Sequence, residues 1–152
     1  MVTNRCKILL IEDNPADVRL TVEAFRENHF DEIFYTVKDG VEAIMFLRKQ
    51  GAYSDVPVPD LILLDLNLPK KNGREVLAEI KHDPELKRIP VVVLTTSNAD
   101  EDIERSYDLH ANCYITKPVD LDDFIYIAKT IKEFWFRIAI LPSEAGECYL
   151  NI

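Results

Sequence analysis

Short, continuous apolar runs alternate along this chain with stretches of helical period. The runs are Ile8-Leu9-Leu10-Ile11, Leu61-Ile62-Leu63-Leu64, Val91-Val92-Val93-Leu94 and the shorter Cys113-Tyr114-Ile115-Thr116. Runs of this length, rich in Val, Ile and Leu, predict strands buried on both faces. With a further run at 33–37, they place strands at 7–11, 33–37, 61–65, Val91–Thr95 and Cys113–Thr116. Asn14-Pro15 opens a first helix, with Val18, Leu20 or Thr21, Val22 and Phe25 near 3.6 spacing. Asp39-Gly40 ends the second strand, and a helix at 41–48 follows with Ala43, Ile44 and Leu47 inward. Residues 51–59, holding Pro57 and Pro59, read as loop. A third helix at 73–81 turns Val76, Leu77 and Ile80 to the core. Asp100 is expected to cap a fourth that carries Ile103, Tyr107 and Leu109, and Asp120 a last one ending near Trp135.

Five such strand-helix units predict an α/β protein, a parallel sheet with helices on both faces. Right-handed crossovers then gather the carboxyl ends of the strands at one edge, where ligands bind in such sheets. At 152 residues, with 47% apolar and 30% charged positions, the chain is long enough for one well-filled domain. The formal charge of −9 argues against direct nucleic-acid binding, which needs basic surface. No apolar stretch approaches the roughly 18 residues of a membrane span, and the four apolar residues after Lys7 are too few for a signal peptide. The expected location is the cytoplasm, away from membranes. Cys6, Cys113 and Cys148 lack metal-ligand spacing and read as reduced structural thiols.

The candidate chemistry lies at the strand ends. Asp65 ends the most apolar run of the chain and is followed by Leu66-Asn67-Leu68-Pro69-Lys70-Lys71-Asn72-Gly73. A carboxylate there is poorly explained by folding alone, because ionised acids avoid apolar surroundings unless paired. The first run leads into Glu12-Asp13, the fourth strand into Thr95, and the fifth into Lys117-Pro118. Three acids, a hydroxyl and an ammonium could hold a divalent cation and a phosphoryl group. Glu12 and Asp13 would reach Mg²⁺ (or Mn²⁺), one of them through water. Asp65 would bind it with one oxygen and attack with the other, with the Asn67 backbone carbonyl as a further ligand. Thr95 can donate to a phosphoryl oxygen. Lys117 can pair with Asp65 at rest and with the phosphate afterwards.

These residues resemble the receiver domain of bacterial two-component response regulators. The matching motifs are Ile11-Glu12-Asp13-Asn14, Leu64-Asp65-Leu66-Asn67-Leu68-Pro69 with Gly73, Val93-Leu94-Thr95-Thr96-Ser97 and Tyr114-Ile115-Thr116-Lys117-Pro118. The resemblance covers about residues 7–131. It implies a doubly wound, flavodoxin-like sheet of strand order 2-1-3-4-5. It makes Asp65 the phosphoacceptor, Glu12 and Asp13 the acid pair for Mg²⁺, and Thr95 and Lys117 the phosphate contacts. Tyr114 falls where the family has a switch aromatic that follows Thr95. The Lys117-Pro118 bond is expected to be cis. Thr96 stands where the family usually has Ala or Gly, which narrows access, and Asn67 and Ser97 would flank the hydrolytic water. More narrowly, the segments around Asp65 and Thr95, the long loop at 51–59 and Phe134-Trp135 resemble the stand-alone regulators paired with cyanobacterial phytochrome histidine kinases.

The resemblance implies a single-domain response regulator of a phosphorelay, phosphorylated by a histidine kinase of the phytochrome type. Beyond taking up and losing its own phosphate, no enzymatic activity is expected. An aspartyl phosphatase of the haloacid-dehalogenase type would need an acid where Asn67 stands. A flavodoxin-like FMN carrier is disfavoured because Asp13 and Asp17 would repel the cofactor phosphate. A degenerate receiver that only binds protein partners stays open.

The receiver unit is read as 1–136, followed by an extension at 137–152. In the last helix Leu121, Phe124, Ala128, Ile131 and Trp135 form one stripe, with Ile125, Tyr126 and Phe136 off it. A helix apolar nearly all round is covered on two sides or meets another protein. The expectation is a homodimer through the fourth helix, fifth strand and fifth helix, extension included. The alternative is that the extension folds back on its own core.

Overall fold

The computed structural model describes residues 5–27 and 32–142. Its strands are β1 (Cys6–Ile11), β2 (Glu32–Val37), β3 (Leu61–Leu64), β4 (Val91–Thr95) and β5 (Cys113–Thr116). They form one parallel sheet in the order 2-1-3-4-5, as expected. The helices are α1 (Pro15–Arg26), α2 (Gly40–Leu47), α3 (Gly73–His82), α4 (Asp100–Asp108) and α5 (Leu121–Glu133). None of them is long and apolar enough to cross a membrane.

Side chains alternate across the sheet. Leu9, Ile11, Ile62, Leu64, Val91 and Val93 meet α2 and α3 on one face. Ile8, Leu10, Leu61, Leu63, Val92 and Leu94 meet α1 and α5 on the other. That two-sided burial is why the central strands read as continuous apolar runs. The edge strands β2 and β5 are only partly buried.

Local chemistry sets where the helices begin. Asn14 caps α1, accepting from the Ala16 and Asp17 N–H groups, with Pro15 at the first helical position. Asp39 caps α2 through the Glu42 N–H. Asn72 and Glu75 form a reciprocal capping box on α3. Asp120 caps α5 through the Asp122 N–H. The expected Asp100 cap is corrected. Ala99 holds the cap position, with no side-chain hydrogen bond, and Asp100 is the first helical residue. There its charge complements the positive end of the helix. Tyr107 of α4 is exposed.

α5 does not end as a regular helix. Residues Phe134–Ile138 make a π turn, which widens the turn and rephases the side chains. Phe136, off the stripe at 3.6 spacing, is therefore in the core at 1% exposure, while Leu121 is exposed. Within the described part of the extension, Leu141 packs against the core, whereas Ile138 and Ile140 face outward.

Two further expectations are corrected. None of the described peptide bonds is cis, so Lys117-Pro118 keeps the ordinary trans preference of an X-Pro bond. Cys6 is disulfide-bonded, whereas Cys113 is a free thiol. Spacing along a chain is silent on which sulfurs a fold brings within bonding range. Cys148 and the rest of the extension from 143 onward lie outside the described residues.

Candidate functional site

Strand register builds the site. Ile11 pairs with Leu64, so Glu12 and Asp65 leave the sheet side by side, one residue beyond that rung. The Asp65 N–H donates to the Ile11 carbonyl at 3.1 Å, extending the ladder to the acid itself. On the other side Thr95 pairs with Thr116, and the Lys117 N–H donates to the Thr95 carbonyl at 2.7 Å. Four adjacent strands thus deliver Glu12, Asp65, Thr95 and Lys117 to one edge.

Gly73 lets the loop after Asp65 close. Its N–H donates to the Leu66 carbonyl at 3.0 Å. A Cβ at that position would lie 2.4 Å from the Asp65 carbonyl oxygen and 2.5 Å from Leu66 Cα. Any other residue would push α3 away from the acid or distort its loop.

The Asp65 carboxylate is nearly buried and held at both oxygens. Oδ1 accepts from the Thr95 hydroxyl at 2.8 Å and from the Asn67 N–H at 3.2 Å. Oδ2 lies 3.3 Å from Lys117 Nζ. The sequence singled out the Asn67 carbonyl; it is the Asn67 N–H that touches Asp65. Lys117 also pairs with Glu12 and, at 3.1 Å, with Asp17 Oδ2. Asp17 is the site residue that sequence reasoning missed. The signal was its place in the first turn of a helix whose cap directly follows Glu12-Asp13.

Burial pushes the Glu12 carboxyl up to about 7, helped by the nearby Asp65 charge and opposed by hydrogen bonds from Lys117 and the Asn14 N–H. For Lys117 burial works against the charge. The hydrogen bond to Glu12 and the Asp65 charge outweigh it and hold the ammonium above its usual range. Carboxylate oxygens of Glu12, Asp13 and Asp65 all lie within 4.8 Å of one another. Acids outnumber the one ammonium here, and the donors are hard oxygens. That set fits a small divalent cation such as Mg²⁺ or Mn²⁺.

Tyr114 stands one shell away. Half buried against the core, it donates its hydroxyl to the Ser97 carbonyl at 2.8 Å. The Ser97 hydroxyl donates to Asp102 Oδ2 of α4 at 2.5 Å. Thr96 is exposed.

The family model for the response regulator receiver domain matches residues 8–129. Response regulator Rcp1 of Synechocystis sp. is 52% identical over 136 residues, spanning 90% of this chain and 92% of that protein. The crystal structure of the phosphorylated cyanobacterial phytochrome response regulator RcpA superposes with a TM-score of 0.88 at 58% identity, covering 92% of this chain and 100% of that one. The Mn²⁺-bound form of Rcp1 gives 0.85 at 51% identity, covering 91% and 99%.

Proposed function

This chain belongs to the response regulator receiver family, and from that premise we propose that it is a phospho-switch charged on Asp65 by a histidine kinase. One observation carries the reading. Asp65 is a nearly buried carboxylate held by a hydroxyl, an ammonium and a backbone N–H, beside two further acids. Those donors match what a phosphoryl group on Asp65 would need.

A carboxylate oxygen of Asp65 attacks the phosphorus of a phosphohistidine. The P–N bond breaks, and the imidazole leaves with a proton from solvent. Lys117 and the Thr95 hydroxyl then donate to the new phosphoryl oxygens. Glu12, Asp13 and Asp65, with the Asn67 carbonyl, would hold Mg²⁺ or Mn²⁺. Bound there, the cation offsets the repulsion between the acids and the incoming phosphoryl oxygens. Thr95 is drawn toward the phosphate, and Tyr114, bonded to Ser97, follows it. Apart from this uptake and loss of phosphate, we assign the chain no enzymatic activity.

Likeness to Rcp1 and RcpA supports a phytochrome-type histidine kinase as donor, and a cytoplasmic setting with it. The readout is a change in protein–protein contact. The receiver unit (1–136) and its extension (137–152) form a homodimer through α4, β5 and α5. The test is incubation with Mg²⁺ and acetyl phosphate, read by intact mass beside an Asp65→Asn control. One added phosphoryl group in the wild type and none in the control is expected. No added mass in either overturns the switch and leaves a degenerate receiver that binds partners constitutively.

A further inference from the structure

The segment between β4 and α4 carries contacts that the phosphoacceptor chemistry does not use. Ser97, two residues beyond Thr95, is held at three points. Its hydroxyl donates to Asp102 Oδ2 at 2.5 Å and accepts from the Ala99 N–H at 3.3 Å, and its carbonyl accepts from the Tyr114 hydroxyl at 2.8 Å. The other carboxylate oxygen of Asp102 pairs with the Arg74 guanidinium. Arg74 Nε is buried with no hydrogen-bond partner. An idle buried donor is unfavourable, so the pairing with Asp102 is what keeps the side chain there.

Arg74 directly follows Gly73, whose backbone lies against Asp65 and Leu66. Arg74 is thus anchored to the Asp65 loop at its backbone and to the first turn of α4 at its guanidinium. Two routes join the phosphoacceptor to the β4–α4 segment. The inner route is the Thr95 hydroxyl on Asp65 Oδ1. The outer route runs through Gly73, Arg74, Asp102 and Ser97.

We propose that Arg74 and Asp102 form a latch that holds the β4–α4 segment in its resting arrangement and so sets how readily Asp65 takes a phosphoryl group. The proposal rests on the phosphoacceptor reading of Asp65. A phosphoryl group claims the Thr95 hydroxyl now given to Asp65, and Thr95 cannot shift without pulling on Ser97. The outer route resists that pull. Contacts made in the resting arrangement and lost in the other weight the protein toward rest. Arg74 and Asp102 are therefore positioning residues that act through Ser97.

The test measures phosphorylation rates with acetyl phosphate and Mg²⁺ for the wild type, Arg74→Met, Asp102→Asn and the double variant. Each single variant is expected to react roughly fivefold faster or more. The double variant is expected to be no faster than the singles, because all three break one latch. Unchanged or slower rates in the singles, or effects that multiply in the double, overturn the proposal. A purely structural role would lower stability without speeding the reaction.

Amide hydrogen exchange over 97–102 in the unphosphorylated proteins gives a second readout. Faster exchange there in both singles is expected, and unchanged exchange overturns the latch. A wild type that takes no phosphate while the variants still loosen this segment would reject the phosphoacceptor reading and leave the contact itself standing.

Discussion

One ammonium answers for three carboxylates at the centre of this site. Lys117 is 6% exposed at its side chain and reaches Glu12, Asp17 and Asp65. Removing one partner of a buried charge cluster costs more than the pair was worth, because the others stay buried without compensation. Lys117→Met is expected to lose about 3 kcal/mol in urea unfolding without divalent cation. Added Mg²⁺ should recover part of it, since a cation that binds only the folded state stabilises by mass action. A loss that Mg²⁺ leaves untouched would argue against Glu12, Asp13 and Asp65 as its ligands. Asp60 behaves differently. Burial raises its pKa above 3.8, opposed by the Lys7 N–H that donates to Oδ2. A raised folded value means stability that is present below the ordinary carboxylate range and is lost as pH rises through the raised value. Asp60→Asn keeps an acceptor for Lys7, and denaturant midpoints from about pH 3 to 7 should follow a flatter curve than the wild type. The residues at strand ends were legible because a charge after an apolar run contradicts burial. Asp17 was passed over because an acid in the first turn of a helix is common on dipole grounds alone, and only its closeness to Glu12-Asp13 set it apart.

At the scale of elements, α5 shows where periodicity stops being enough. Lys132 lies on its buried face at 0% exposure, with its ammonium 3.0 Å from Glu32 Oε1 and also donating to the Phe25 carbonyl. It sits over the Phe25 ring, 5.6 Å from the centroid. Burial lowers its pKa, partly offset by Glu32. Lysine in an amphipathic pattern reads as solvent-facing, so this pair, which ties α5 to the β2 edge, left no trace in the sequence. The π turn at Phe134–Ile138 was equally hidden, since nothing in Phe134-Trp135-Phe136 announces one wider turn. Strand runs, by contrast, were readable almost to the residue, because double burial demands unbroken apolar sequence. Lys132→Met alone should destabilise the fold by about 3 kcal/mol by removing the ammonium that pairs with the buried Glu32. Combining it with Glu32→Gln should return much of that loss. Equal losses in the single and double variants, measured by urea unfolding, would show that the coupling lies elsewhere.

At the scale of the whole molecule, the two ends of the sheet differ in kind. The carboxyl edge gathers charge around Asp65. The side formed by β5, α5 and the π turn is apolar, with a groove of about 460 Å³ lined by Cys113, Ile115, Ile127, Ile131 and Trp135. Tyr126 and Phe134 stand exposed at its lining at 69% and 48%, and Ile138 and Ile140, just beyond α5 in sequence, are exposed at 70% and 80%. Phe136 and, in the extension, Leu141 already pack into the core, so among the described residues the exposed apolar side chains here are surplus to it. An exposed apolar patch of this kind suits contact with another copy of the chain. In a symmetric dimer each apolar side chain is lost twice, so a single charge placed there acts on both subunits. Sedimentation across a concentration series should show dimer at tens of micromolar, the range set by micromolar affinity. Tyr126→Glu or Ile138→Glu should shift it to monomer, with thermal midpoints near wild type because both side chains are exposed already. Wild-type protein that stays monomeric throughout would remove this face from the dimer and turn the search to a different partner for it.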